Sequence, residues 1–323
     1  MSSWGATGRH ILRRMRQLLL GRPPVEPTDA VPPLPPGRLV DLGGRGEVFV
    51  RDEDGPTDKV PVVLLHGWFA SADLNWFGTF AHFAGERRVI AVDHRGHGRG
   101  IHPVGPFTLV DCADDVAALL RELDIDRAIV VGFSMGGPIA LLLTRRHPER
   151  VAGLVMASTS AVFSTTIVER WRWRFVRLVE WGLRMGLGER LVARLAWEWG
   201  RIDDEFAPYT GWLVSEFTRG WPPALREAGA ELGRFDARPW LADLGVPARS
   251  VVSGADSLVP PRRQEDLAVA LSAGVERLDG ADHDAPITAV HRFADAIHRA
   301  VVALDARGVA PALDTSEEPP AGA

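Results

Sequence analysis

Short apolar runs that alternate with helical segments constrain the fold of this chain most strongly. The apolar runs lie at residues 60–65, 88–92, 128–131, 151–156, 248–253 and 275–278. Segments with helical spacing lie between and after them, at residues 109–123, 136–147, 262–272 and 288–304. Strands that are apolar throughout are buried on both faces. The pattern therefore predicts an α/β fold, with a mostly parallel sheet covered by helices on both faces.

Composition narrows the class of protein further. The 323 residues are 46% hydrophobic and 24% charged, which is typical of a soluble globular chain and untypical of disorder or collagen. Acidic residues outnumber basic ones by 42 to 37, so we expect no nucleic-acid partner. The single cysteine, Cys112, excludes an intramolecular disulfide, a CxxC zinc site and an iron–sulfur cluster.

The alternation stops between residues 161 and 235. This segment shows no strand signal and reads as helices, which predicts a helical cap inserted between two parts of one sheet (residues 38–160 and 236–308). We expect its large side chains mainly to pack the cap, with one or two lining an apolar pocket. Its tryptophans are Trp171, Trp173, Trp181, Trp197, Trp199, Trp212 and Trp221.

The two ends differ from the core in composition. Residues 1–37 are predicted to form a basic arm and a proline-rich linker, and residues 309–323 a disordered tail. Arginines alternate with apolar residues at 9–20, which predicts either a frayed arm or a short helix in weak contact with a membrane surface. The apolar run there is too short to span a bilayer. We expect a cytoplasmic protein, and any contact that residues 9–20 make with a membrane is expected to be peripheral.

The clearest chemical motif runs from Gly132 to Gly136 (Gly-Phe-Ser-Met-Gly). It follows a predicted strand and opens a predicted helix, which is the context that gives a G-x-S-x-G pattern its meaning. In that context a tight turn exposes the serine hydroxyl at the edge of the sheet. The motif therefore predicts Ser134 as a nucleophile.

A serine hydroxyl needs a base, and the base needs a partner that orients it. His283, which follows the last predicted strand, is the predicted base. Asp256, which follows the strand before it, is the predicted partner, so the catalytic residues occur in the order Ser, Asp, His. The other histidines suit helix ends, solvated faces or earlier loops better. The remaining candidates for the acid are Asp236, Asp243, Asp282 and Asp284.

The same chemistry needs N–H donors for an oxyanion. The N–H of Met135, directly after the nucleophile, is one predicted donor. The second is the N–H of Trp68, because the segment His-Gly-Trp at residues 66–68 follows an earlier predicted strand.

Together these motifs resemble the α/β-hydrolase superfamily, in particular its serine esterase and perhydrolase-like branch. The resemblance covers about residues 38–305 and includes the Asp-His-Arg-Gly-His-Gly segment at 93–98. It implies an eight-stranded, mostly parallel sheet with a cap after the sixth strand. The chain departs from the family at Arg99, where relatives commonly have serine, and we expect this to affect only the turn.

The predicted function is a serine hydrolase that cleaves a small or lipid-like, apolar ester without a metal or organic cofactor. Three alternatives keep the same triad: a cofactor-free perhydrolase, an acyltransferase and a C–C hydrolase. A fourth, from another class, is a ligand-binding protein on a hydrolase scaffold. Haloalkane dehalogenases and epoxide hydrolases are disfavoured, since they need a carboxylate where Ser134 stands.

Overall fold

An eight-stranded sheet forms the centre of the computed structural model, which describes residues 30–102, 104–164 and 205–306. Its spatial order is β1-β2-β4-β3-β5-β6-β7-β8. Strand β2 is antiparallel to β1 and β4, and the other neighbouring strands are parallel. The strands are β1 (Gly37–Asp41), β2 (Glu47–Glu53), β3 (Val62–Leu65), β4 (Val89–Val92), β5 (Ala128–Phe133), β6 (Val151–Ala157), β7 (Ala248–Ser253) and β8 (Gly274–Leu278).

Helices of the described residues follow most of the parallel strands. They are α1 (Ala72–Trp76), α2 (Leu109–Glu122), α3 (Gly136–Arg146), α4 (Thr210–Thr218), α5 (Pro222–Arg234), α6 (Pro261–Ala270), α7 (Ala285–Thr288) and α8 (Val290–Asp305). Short 3-10 turns lie at Gly43–Arg45, Phe80–His82, Pro148–Arg150, Ala207–Tyr209 and Leu241–Asp243.

Successive residues of strand β3 enter two different hydrophobic cores. Val63 and Leu65 belong to the core that includes α2 and α3, whereas Leu64 belongs to the core that includes Trp76 and helix α8. Side chains alternate between the faces of a strand, so a strand covered on both faces must be apolar at every position. The predicted α/β fold, with helices on both faces of a mostly parallel sheet, is confirmed.

The first two strands were not located from the sequence. In β1 only Val40 is buried, and β2 is buried at alternate positions near its start, so neither forms a continuous apolar run. The short helix α1 was also missed, although Ser71 caps it by accepting a hydrogen bond from the N–H of Leu74. The final predicted helix, at residues 288–304, is confirmed as α8, and the short helix α7 lies directly before it.

The insert leaves the sheet after β6 and returns before β7. At its base, Val162 and Asp236 form an antiparallel bridge, and the N–H of Ala237 donates to the carbonyl of Ala161 at 2.9 Å. Its described part contains α4 and α5. In α4, Trp212 is buried with its ring centroid 5.5 Å from that of Phe77.

Several predictions concern residues outside the described ranges. These are the arm with residues 9–20, the tail at 309–323, and the cap tryptophans Trp171, Trp173, Trp181, Trp197 and Trp199. Among the residues that are described, no helix is long and apolar enough to cross a membrane.

Arg99 has a wider role than the one expected for it. Its guanidinium lies 2.9 Å from a carboxylate oxygen of Asp73, 3.0 Å from Asp93 and 3.3 Å from Glu216 of helix α4. The expectation that this departure from the family pattern affects only the turn is therefore wrong. Arg99 links the turn after β4 to helix α1 and to the cap.

Candidate active site

Ser134 lies at the sharp turn between β5 and α3. Its φ is 51°, in the left-handed region that non-glycine residues seldom adopt. Its N–H donates to the carbonyl of Ala157 at 3.0 Å, and its own carbonyl accepts from the hydroxyl of Thr159 at 2.7 Å. These bonds stabilise a strained turn that directs the hydroxyl away from the sheet.

Two glycines make this turn possible. A Cβ on Gly136 would lie 2.1 Å from the carbonyl oxygen of Leu65, and one on Gly132 would lie 2.5 Å from the carbonyl oxygen of Gly136. Both distances are far below van der Waals contact. The spacing of glycines in the motif therefore reflects a close approach between strand β5, helix α3 and the end of β3.

Three predicted side chains form a continuous hydrogen-bonded series. The Nε2 of His283 lies 2.9 Å from the Oγ of Ser134, and its Nδ1 lies 2.9 Å from the Oδ2 of Asp256. The imidazole also packs against Phe133, with ring centroids 5.3 Å apart. His283 comes from the loop after β8 and Asp256 from the loop after β7, so three loops at the carboxyl ends of parallel strands meet here.

The Asp256 carboxylate is buried and fully engaged. Its Oδ1 accepts from the N–H groups of Leu258 at 2.9 Å and Val259 at 2.7 Å. Its Oδ2 accepts from the Nε2 of Gln264 at 2.9 Å and faces His283. These three donors hold the carboxylate in one orientation.

The rival acids make other contacts. The Oδ1 of Asp282 accepts from the N–H groups of Ser257 and His283, each at 2.7 Å. Burial opposes ionisation of Asp282, but these two N–H donors lower its pKa below the ordinary value. Asp236 forms an exposed pair with Arg238, and Asp284 accepts from the hydroxyl of Thr288 at 2.9 Å.

The loop at residues 66–68 lies against the nucleophile. A Cβ on Gly67 would be 3.2 Å from the Cβ of Ser134, and the N–H of Gly67 donates to the side chain of Asn75 at 2.8 Å. The indole N–H of Trp68 donates to the carbonyl of Leu225 in cap helix α5 at 2.7 Å. Met135 directly precedes α3, and the first N–H groups of a helix have no acceptor within the helix. Both predicted oxyanion residues therefore lie beside Ser134.

Three buried histidines lie in and next to this loop. The Nε2 of His66 accepts from the N–H of His94 at 3.0 Å, so its Nδ1 carries the proton and donates to the carbonyl of Gly67 at 2.7 Å. Burial lowers the pKa of His66 to about 4 and that of His97 to about 3, and it lowers the pKa of His94 well below the ordinary value. All three rings are neutral at neutral pH.

A cavity of about 600 Å³ opens over Ser134 and His283. Most of its lining is apolar and comes from the core and from the cap. The apolar lining residues are Trp68, Phe69, Ala70, Leu74, Phe133, Val162, Phe163, Phe217, Leu232, Leu258, Val259, Pro260, Pro286 and Ile287. Of the tryptophans in the described residues, Trp68 lines the cavity, whereas Trp212 and Trp221 of the cap do not.

Two contributors to this site were not predicted. Asn75 holds the loop of Gly67, and Gln264 contacts Asp256. Neither belongs to a motif, and no local signal distinguishes either from a surface amide. Within the described ranges, no group of three or more His, Cys, Asp or Glu side chains is arranged to bind a metal ion.

Comparisons with known proteins show the family of the chain. A sequence profile of the alpha/beta hydrolase fold matches residues 60–290. A pimeloyl-[acyl-carrier protein] methyl ester esterase from Aromatoleum aromaticum is 31% identical over 248 residues, which cover 76% of this chain and 81% of the relative. A non-heme chloroperoxidase from Streptomyces lividans is 42% identical over 113 residues, only 34% of this chain and 40% of that relative.

Solved structures share the fold. A thermophilic esterase from Thermogutta terrifontis superposes with a TM-score of 0.68 at 23% identity, covering 83% of this chain and 99% of the esterase. Fold and relatives together define a hydrolase. The chain belongs to the alpha/beta hydrolase fold family.

Proposed function

We propose that this protein cleaves carboxylic esters through an acyl-enzyme formed on Ser134. The observation that carries the proposal is the series Ser134, His283 and Asp256, joined at 2.9 Å and opening into the apolar cavity. A nucleophile, a base within hydrogen-bond reach and a group that orients the base are the three parts that such a reaction needs.

The first half of the reaction follows from these distances. As the Oγ of Ser134 attacks the ester carbonyl, the Nε2 of His283 takes its proton. The N–H groups of Trp68 and Met135 donate to the oxyanion of the tetrahedral intermediate. Asp256 stabilises the imidazolium, which then gives its proton to the leaving alcohol as the acyl-enzyme forms.

The second half repeats the same steps with water. His283 takes a proton from water, and the resulting nucleophile attacks the acyl carbonyl. Collapse of the second intermediate returns the proton to Ser134 and releases the carboxylic acid. The enzyme ends in its starting protonation state, so the cycle needs no other reactant.

The cavity supports an apolar substrate of small or moderate size. A volume of about 600 Å³ with mostly apolar walls favours an alkyl or aryl group over a highly charged one. The methyl ester esterase among the relatives also supports ester cleavage as the reaction of this chain.

The test compares the wild type with Ser134→Ala on p-nitrophenyl esters of increasing acyl length. The wild type is expected to hydrolyse them with an optimum that reports the size of the pocket, and Ser134→Ala is expected to lose turnover at least about a thousandfold. Ser272→Ala, at an exposed serine after α6, is the control and should match the wild type. Retained turnover in Ser134→Ala contradicts the mechanism, and a folded wild type with no turnover on any ester favours ligand binding or C–C hydrolysis.

Acyl transfer to hydrogen peroxide is the second candidate. The match to a non-heme chloroperoxidase favours it, although that match spans only part of each chain. Peroxide would replace water in the attack on the acyl-enzyme, so that the product is a peroxyacid and Ser134 is regenerated. Peroxyacid formation measured with added hydrogen peroxide distinguishes the two acceptors, since a strict hydrolase yields only the carboxylic acid.

A further inference from the structure

Gln264 of helix α6 contacts the carboxylate that orients His283. Its Nε2 donates to the Oδ2 of Asp256 at 2.9 Å, and the same oxygen lies 2.9 Å from the Nδ1 of His283. We propose that Gln264 is a positioning residue that sets the orientation and charge of Asp256 for the reaction. The inference rests on the proposed serine mechanism and adds a residue to it.

The hydrogen bonds of Gln264 allow only one orientation of its amide. Its Oε1 accepts from the N–H of Ser253 at 3.0 Å, and its Nε2 also donates to the carbonyl of Val259 at 2.7 Å. A flipped amide would place its NH₂ against the N–H of Ser253 and its oxygen against a carbonyl and a carboxylate. The residue is 1% exposed, so water does not compete for these bonds. The amide is therefore directed at Asp256 by its two other hydrogen bonds, to Ser253 and Val259.

Gln264 donates to Oδ2 of Asp256, the same oxygen that faces His283. The Oδ1 of Asp256 has two backbone donors of its own, whereas Oδ2 has Gln264 and the imidazole. Without Gln264, the carboxylate would keep more negative charge at Oδ2, and this oxygen would be held by the imidazole alone. More charge at Oδ2 favours the protonated imidazole, which cannot act as the base.

Other charged groups near His283 remain in place when Gln264 is changed. Asp282 is engaged by the N–H groups of Ser257 and His283, and Asp284 and Arg263 line the same cavity. Because these groups stay constant, a difference between Gln264 variants reports on Asp256 and not on the general field of the pocket.

The first variant is Gln264→Met, which keeps similar length and removes the donors and the acceptor. We expect kcat on a p-nitrophenyl ester to fall about tenfold with KM within about twofold, because Asp256 then holds the imidazole less firmly in line with Ser134. We also expect the acid limb of the pH–rate profile to move to higher pH. Loss of fold stability alone changes neither kcat per folded molecule nor the position of this limb.

The second variant is Gln264→Glu, which keeps the shape and can donate to Asp256 only while it is protonated. Two facing carboxyl groups share one proton at low pH and repel each other once both are ionised. The activity of the Glu variant relative to the Met variant should therefore rise as the pH falls. If the Met variant does not fold, the activity of the Glu variant is compared with that of the wild type instead, and this ratio should also rise as the pH falls.

Leu267→Ala is the matched control, since Leu267 is equally buried in α6 and has no polar group that could bond to Asp256. It should lower the thermal midpoint while leaving kcat per folded molecule and the acid limb unchanged. Equal kinetics of Gln264→Met and Leu267→Ala would overturn the inference.

A fluorophosphonate probe separates this outcome from failure of the proposed function, because it labels an activated serine whatever the natural substrate. A folded wild type that is not labelled at Ser134 overturns the serine mechanism and this inference with it. Labelling of Gln264→Met at the wild-type rate, in a protein whose Ser134 is labelled, overturns this inference alone.

Discussion

Replacing Arg99 with methionine is expected to lower the free energy of unfolding by about 3–5 kcal/mol at pH 7, the cost of leaving a buried carboxylate without its partner. Methionine keeps an apolar stem over Phe49, whose ring centroid lies 3.9 Å from the Arg99 guanidinium carbon. The substitution therefore removes the charge while keeping much of the packing.

The size of this loss in stability depends on which partners each carboxylate keeps when Arg99 is replaced. Asp73 keeps the guanidinium of Arg51 at 2.8 Å, and Glu216 keeps that of Arg219 at 2.9 Å. Asp93 is completely buried and keeps only backbone donors, the N–H of Ala72 at 2.6 Å and that of residue 99 at 2.7 Å. The expected loss in free energy of unfolding is therefore that of one unpaired carboxylate, Asp93, and not that of three.

The loss should depend on pH in a definite direction. Burial raises the pKa of Asp93 even with Arg99 beside it, and removal of the guanidinium raises this pKa further. The folded carboxyl then binds a proton that the unfolded one releases, so stability falls as the pH rises between the unfolded and folded pKa values. The deficit of Arg99→Met should therefore be larger at pH 7 than at pH 5.

Urea unfolding at the two pH values measures the deficit. Arg38→Met is the control, because Arg38 is half exposed and shares Asp52 with Arg88, so its loss should stay below about 0.5 kcal/mol. A deficit for Arg99→Met below about 1 kcal/mol at pH 7, or one that grows toward pH 5, would refute the reasoning.

Two further predictions concern the buried histidines and the cavity. As the pH falls from 6.5 toward 4, unfolded His66 takes up a proton that the folded side chain excludes, so the free energy of unfolding should decrease by up to about 3 kcal/mol from this residue, with His97 adding to the loss. Urea midpoints measured from pH 8 to 4.5 check this, and a midpoint unchanged below pH 6.5 contradicts it. Val162→Phe narrows the cavity and should lower kcat/KM for the longest p-nitrophenyl ester about tenfold or more while sparing the acetate. Val302→Phe, at an exposed position of α8, is the control, and an unchanged chain-length profile in Val162→Phe would place the acyl group elsewhere.

Much of the architecture could be predicted because its causes are local in the chain. A strand buried on both faces must be apolar at every position, as β3, β5 and β6 are, and this pattern is visible without any knowledge of the partners. The turn at Ser134 was equally visible, since the glycines that its close approach requires lie within two residues of it. The sequence pattern did not predict strands β1 and β2, because partly exposed strands at the edge of a sheet need no continuous apolar run.

By itself, the sequence determined the parallel sheet, the nucleophile turn and the order in which Ser134, Asp256 and His283 follow one another. Tertiary structure alone showed that the imidazole of His283 bonds to Asp256, the partner that the sequence favoured over Asp282 and Asp284. It also decided the roles of Asn75, Gln264 and Arg99, whose contacts include the pair of Arg99 with Glu216, 117 residues apart. The physical reason is that a polar side chain needs a partner in space, and a partner distant along the chain leaves no periodic or spaced pattern to read.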